Sequence, residues 1–213
     1  DLSRLAFDRY LESLDVNRSF LTAQDVERLA RYRDKLDDSL NNGHLDPAFE
    51  VFRYFRGKVE QRVAYAKQLL DGYDFDFTLD ETYVFDREDS PWLADEAALD
   101  DLWRRRVKND VLTTRLGDQD STRADLHKRY DGILRRVQQM DASDVFQVFV
   151  NAITLSIEPH TSYMSPRLSE NFDINMRLSL QGIGAVLRAE NEYTQVVSTV
   201  VGGPAEKSGR LKS

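Results

Sequence analysis

Apolar residues spaced three and four apart recur through most of the first 157 residues, and that spacing commits a chain to helices with one buried face. Val26, Leu29, Tyr32, Leu36 and Leu40 form one such stripe. Thr22 is placed to cap it, with Asp25 in the first turn where a carboxylate suits the helix dipole. Asn41-Asn42-Gly43, residues that tolerate left-handed backbone, end it. A second helix opens with Asp46 as cap and Pro47 in the first turn. It carries Phe49, Phe52, Phe55, Val59, Val63, Ala66 and Leu70, and stops at Gly72. Leu99, Trp103, Val107 and Val111 predict a helix over 95–116, and Leu126, Tyr130, Ile133, Val137 and Met140 predict the next. Asp141-Ala142-Ser143 starts another. From Val145 to Ile157 it is apolar almost all round, which predicts the central, most buried helix.

Two stretches between these helices carry a different pattern. Tyr73, Phe75, Phe77 and Leu79 alternate with Asp74, Asp76, Thr78 and Asp80, so residues 72–92 read as extended with one face buried. The aspartates do not make a calcium loop, because Leu79 stands where an EF-hand requires glycine. Ser90-Pro91 breaks the chain, and Gly117 to Thr122 is a polar loop. Arg104-Arg105-Arg106 and Arg135-Arg136 lie on helices whose other faces are apolar, and read as solvated faces. His44 and His127 read as exposed.

Past Pro159 the helical grammar ends. Residues 158–177 read as an irregular linker with one short turn near Ser169 to Phe172. Strands follow. Gly182 and Gly184 bracket Ile183, and Ala185-Val186-Leu187-Arg188-Ala189 is a strand. Glu190-Asn191-Glu192 is a hairpin tip, and Tyr193 to Val201 is a β-branched run. Gly202-Gly203-Pro204 turns the chain, and Pro204 opens a short helix through Ser208. The fold class is therefore mainly α: a multi-helix domain over 1–157, a linker over 158–177, and a β-rich segment over 178–213.

Composition narrows the function. The 213 residues include 11 Phe, 9 Tyr and 2 Trp and are 41% hydrophobic, enough for a packed core and too much for a disordered acidic tail. A net charge of −8 argues against a nucleic-acid partner. No apolar run approaches the roughly 20 residues of a transmembrane helix. Cysteine is absent, which removes disulfides, thiol nucleophiles and thiolate zinc sites. No cofactor or metal ligand set is read. The chain opens on Asp1 without a charged-then-apolar leader, the expectation for a mature or excised segment whose signal peptide is gone.

Glu158-Pro159-His160-Thr161-Ser162 gathers an acid, a histidine and a hydroxyl, but residues this close in an extended segment point apart, whereas triad members converge through folding. No Gly-x-Ser-x-Gly elbow is present. The segment reads as a rigid turn. Gly182-Ile183-Gly184-Ala185 is more informative. A glycine-bracketed turn feeding a strand can aim consecutive N–H groups into one concavity and bind a carboxylate. Val186, Leu187 and Arg188 would then pair with an extended peptide. Period 2 puts Ile183, Ala185 and Leu187 on one face, where they would floor a pocket for its terminal side chain.

Glycine turn, apolar strand, hairpin, β-branched strand and then Gly202-Gly203-Pro204-Ala205-Glu206-Lys207-Ser208-Gly209 resemble the opening half of a PDZ domain. Other blocks extend the likeness: Phe7-Asp8-Arg9-Tyr10-Leu11, Ala23-Gln24-Asp25-Val26-Glu27, Ser90-Pro91-Trp92, Glu158 to Pro166, and Ser179 to Leu187. Over nearly its whole length the chain resembles the tail-specific, or carboxy-terminal processing, proteases of Prc type. That resemblance implies a periplasmic, ATP-independent serine protease that recognises the C-termini of protein substrates. It implies a Ser nucleophile and Lys base beyond Ser213, so none of residues 1–213 is catalytic, and no cofactor. It makes a helical-repeat lipoprotein adaptor a reasonable partner. Against the more familiar Gly-Leu-Gly-Phe loop, Ile183 takes the second place and Ala185 the fourth. The aromatic is lost; the backbone donors are not. The alternatives are a non-catalytic helical adaptor with a peptide-binding module, and a structural helical domain whose strands fold through dimerisation.

Overall fold

The structure, a computed structural model, describes residues 2–117, 123–177, 182–190 and 193–211. The chain divides into two units, Asp1–Tyr163 and Met164–Ser213. It is mainly helical with a two-stranded antiparallel sheet near its end, as the sequence predicts. The first unit contains α1 (Leu2–Leu14), α2 (Ala23–Leu29), α3 (Leu36–Asn42), α4 (Asp46–Gly72), α5 (Glu96–Leu116), α6 (Arg123–Gln138) and α7 (Ala142–Ile157).

Helix ends follow local chemistry. Thr22 caps α2: its Oγ1 accepts from the Asp25 N–H, and the Asp25 carboxylate accepts from the Thr22 N–H at 2.9 Å. Asp141 and Asp144 close the same reciprocal pair at the start of α7. Gly43 ends α3 with φ 69°, in the left-handed region that glycine enters without a Cβ clash. Asp46 is not the cap of α4; Leu45 holds that position, and Asp46 lies in the first turn.

The stripe from Val26 to Leu40 is broken, where one helix was expected. A 3-10 turn, Ala30–Tyr32, follows α2, and the Leu36 N–H donates to Ser3 Oγ of α1 at 2.9 Å. That bond to another element restarts the chain as α3. The stripe is still buried: Leu29 and Leu36 are both inside.

The spine is α4, not α7. Over 27 residues α4 buries Val51, Phe52, Phe55, Val59, Val63, Ala66, Leu69 and Leu70, and it meets α3, α5, α6 and α7. The last of these helices lies chiefly along α1, with Tyr10 and Phe149 in edge contact at 5.7 Å. It buries Val145, Phe149, Val150, Ala152 and Ile153 and leaves Ile157 68% exposed. Phe146 and Val148 are only partly covered, and Gln147, Asn151 and Thr154 form a polar stripe, so this helix is not buried all round.

Residues 73–92 form no strand. Tyr73, Phe75 and Phe77 stack in sequence at 4.8 and 6.2 Å, with Phe75 and Phe77 half-buried and Tyr73 and Leu79 exposed. The segment crosses α5 and is fastened there by charge. Glu81 accepts from Arg104 and, at 2.6 Å, from Lys108. Arg104 is thus an ion-paired, largely covered side chain, not the solvated face expected for that cluster; Arg135 and Arg136 are exposed as expected. His44 is exposed, whereas His127 is half-buried with Nε2 2.8 Å from Asp71 Oδ1.

Hydrogen bonds from Arg104 and then Lys108 hold the Glu81 carboxyl at about 2, against an ordinary 4.5. A depressed native pKa contributes stability above the unfolded value and loses it as acid protonates the native carboxylate. The thermal midpoint is expected to fall as pH drops from about 4.5 towards 2. Glu81→Gln should flatten that slope; melts of both proteins across this range check it.

Candidate peptide-binding hairpin

The second unit holds α8 (Pro166–Arg177), β1 (Ala185–Glu190), β2 (Tyr193–Thr199) and α9 (Pro204–Ser208). The 12-residue α8 replaces the short turn expected at Ser169 to Phe172. Its stripe, Leu168, Phe172 and Met176, recurs every four residues. The two strands pair from Ala185 opposite Thr199 to Glu190 opposite Tyr193. Val186 faces Ser198 and Leu187 faces Val196, so Val197 is an extra residue, a bulge in β2. Of the expected hairpin tip, Asn191 and Glu192 lie outside the described residues.

The glycine turn is held from behind. Gly184 has φ 72°, and a Cβ there would meet Pro204 Cδ at 3.0 Å and Gly203 Cα at 3.3 Å. A Cβ on Gly203 would meet Val200 O at 2.9 Å. Both positions therefore need glycine, one for conformation and both for approach. The Ile183 carbonyl accepts from the Ala205 N–H at 2.8 Å, and the Gly184 carbonyl from the Val200 N–H at 2.8 Å. Ala205 is buried at this junction, and Gly209 closes α9 with φ 64°.

Those two bonds orient the turn. No cis peptide bond occurs among the described residues. Across a trans peptide, C=O and N–H point in opposite directions. With the Ile183 carbonyl turned onto α9, the Gly184 N–H points away from it. With the Gly184 carbonyl turned onto β2, the Ala185 N–H points to the opposite side. Among the described residues no acceptor meets the Gly184 N–H. The Val200-to-Gly184 bond also makes Ala185 and Thr199 the kind of pair whose own polar groups face outward, so Ala185 lies on the free edge of β1. Strand alternation repeats that orientation at Leu187.

Of the sequence-derived site residues, Gly182 is exposed, Ile183 54% exposed, and Gly184 and Ala185 half-buried. Val186 and Leu187 are each 49% exposed, and exposed Arg188 reaches across the hairpin to Gln195 Oε1 at 2.8 Å. Sequence reasoning missed the part that Val200, Gly203 and Ala205 play in holding the turn; Gly202-Gly203-Pro204-Ala205 reads there as a turn into a helix and as part of the PDZ resemblance. Glu158 to Ser162 forms a local turn: the Glu158 carboxylate accepts from the His160 N–H and Thr161 Oγ1, each at 2.9 Å.

Residues 1–167 match the family described as the tail specific protease N-terminal domain. The chain belongs to the tail-specific protease family. The tail-specific protease of Haemophilus influenzae is 38% identical over 99% of this chain and 31% of its own length. The carboxy-terminal-processing protease of Bartonella bacilliformis is 28% identical over 39% of this chain and 20% of its own. The chain thus spans about a third of the Haemophilus relative. The tail-specific protease domain match ends at Arg167 within α8, before the hairpin, which the Haemophilus alignment does reach. Among the described residues no helix is long and apolar enough to cross a membrane.

Proposed function

We propose that this chain is the N-terminal helical region and the opening of a PDZ-type module in a periplasmic, ATP-independent serine protease that takes hold of protein substrates by their C-termini. The observation that carries the reading is the turn whose two carbonyls are tied back, which leaves the Gly184 N–H without an acceptor among the described residues and the Ala185 N–H on the free edge of β1. The N–H groups of Ile183, Gly184 and Ala185 would receive the terminal carboxylate, each such charge-assisted bond contributing about 1.5–3 kcal/mol before ordering costs. The peptide would then add to β1 as a strand, past Val186, Leu187 and Arg188. Exposed Ile183 and Leu187 would hold its terminal apolar side chain, worth about 1.5–3 kcal/mol when buried. With Ala185 in place of an aromatic, those two side chains carry the apolar contact. Cleavage would fall to a Ser nucleophile and Lys base outside residues 1–213, with no metal or cofactor. A helical-repeat lipoprotein would be a fitting adaptor.

The full-length protein should degrade an unfolded substrate with an apolar C-terminus, and residues 1–213 alone should not. Leu187→Asp in the full-length protein places a charge in the groove and should lower kcat/KM at least about tenfold, mostly through KM. Cleavage by residues 1–213 alone, or full activity in Leu187→Asp, would contradict the reading.

A further inference from the structure

In the first unit, apart from the hairpin, a cavity of about 190 Å³ opens between the turn at Asn17 and Ser19, the 83–87 segment, α5 and α6. Tyr83, Phe85, Leu102 and Trp103 form the aromatic and aliphatic part of its wall, and Asn17 and Ser19 add polar groups. Three guanidinium groups line it, Arg87, Arg106 and Arg129, against one carboxylate, Asp110. In a chain of net charge −8 that is a local inversion of sign.

The one carboxylate is already engaged. Asp110 is buried and accepts from Tyr130 Oη at 2.6 Å and from Arg129 at 3.3 Å. The Arg106 guanidinium sits over the Trp103 ring, 4.6 Å from its centroid, and among the described residues it has no carboxylate or carbonyl partner. Among the described residues the Arg87 side chain reaches only the Pro91 carbonyl, at 3.5 Å, and its Nε is buried without a partner. Two cations therefore face a cavity that supplies no anion to them. A small inorganic anion would leave the Tyr83 and Phe85 side of the cavity wet. A carboxylate on a short apolar stem satisfies both the walls and the planar guanidinium forks. The volume fits one side chain.

We propose that this cavity is a carboxylate subsite for a peptide, entered by a single residue whose acid group meets Arg106 and Arg87 and whose stem lies on Tyr83 and Phe85. An acidic side chain and a C-terminal carboxylate share this chemistry, and the test separates them.

The indole N–H of Trp103, which donates to the Ser19 carbonyl at 2.6 Å, is the reporter, followed by NMR in the full chain with Trp92 as internal reference. Four probes are titrated: a five-residue peptide with one glutamate and blocked termini, its glutamine analogue with a free C-terminus, the same analogue fully blocked, and inorganic phosphate. At least one carboxylate peptide should move the Trp103 signal saturably and leave Trp92 unmoved, and the one that does identifies the source. Arg106→Gln should weaken that binding about tenfold or more; Arg135→Gln, the same charge change on an exposed residue, should not. If Arg106→Gln fails to fold, Arg87→Gln, at the other guanidinium that meets the acid, serves in its place. The proposal is overturned by no shift with either carboxylate peptide, by an equal shift with the neutral peptide or phosphate, or by unchanged binding in the folded arginine variant.

Discussion

Trp103→Ala is expected to cost about 3–5 kcal/mol of folding stability from lost packing and the cavity left behind. Trp103 is fully buried, with Phe20 at 5.4 Å and Tyr130 at 6.2 Å. The substitution also removes the indole donor to the Ser19 carbonyl, worth about 1 kcal/mol more. Ser19 is not free to find another partner easily. Its own N–H, with those of Phe20 and Leu21, is held by the buried Asp15 carboxylate at 2.8–2.9 Å. Trp103→Phe keeps most of the ring and should cost clearly less. Leu116→Ala, at a position 78% exposed, should stay within about 0.5 kcal/mol. Urea melts of the variants give the comparison, and similar costs for Trp103→Ala and Leu116→Ala would contradict the assigned core.

Asp25→Ala should cost about 3 kcal/mol, by leaving a covered cation short of a partner and removing a cap. Asp25 is buried, and its carboxylate accepts from Tyr54, from Lys58 at 2.8 Å and from both the N–H and Oγ1 of Thr22. Burial alone would push this carboxyl up; the bonds from Lys58, Tyr54 and Thr22 outweigh it and hold the group below the usual carboxylate range. Lys58 continues to Glu96, Glu96 to Arg62, and Arg62 to Asp100, so the network ties α2, α4 and α5 together. Lys58→Met should recover part of the loss when combined with Asp25→Ala, because the covered ammonium left with Glu96 alone goes with it. Strict additivity of the two in urea melts would show that the pair does not couple.

What was legible in the sequence was local. Thr22 with Asp25, Gly43, and Asp141 at the start of α7 could be read because a cap is made by residues three or four apart. The glycine turn and the presence of a hairpin were legible for the same reason, though its register and the bulge at Val197 were not. The break after Leu29 was not, because it is set by a bond from Leu36 to Ser3 in another helix. Arg104 looked like one of three solvated arginines; its partner Glu81 lies 23 residues earlier, in a segment with no regular structure to predict its path. The rim position of α7 was hidden because most of its residues from Val145 to Ile157 are apolar, which masks the narrow polar stripe of Gln147, Asn151 and Thr154. The α8 helix was a different kind of miss: Leu168, Phe172 and Met176 carried its period in plain view. At the hairpin, the donors could be read but not what aims them, since Gly184 meets Pro204 only once the chain has folded back.

The central claim is that the turn at Gly182 to Ala185 captures a C-terminal carboxylate. The most direct measurement follows the amide signals of Ile183, Gly184 and Ala185 by NMR in a protein carrying the complete module. Matched apolar peptides with a free or an amidated C-terminus are titrated in. The account predicts that the free acid moves the Gly184 and Ala185 amides saturably and downfield, as charge-assisted hydrogen bonds form, while the amidated peptide moves them far less. Equal shifts with both peptides, or binding that leaves these amides unmoved, would contradict it.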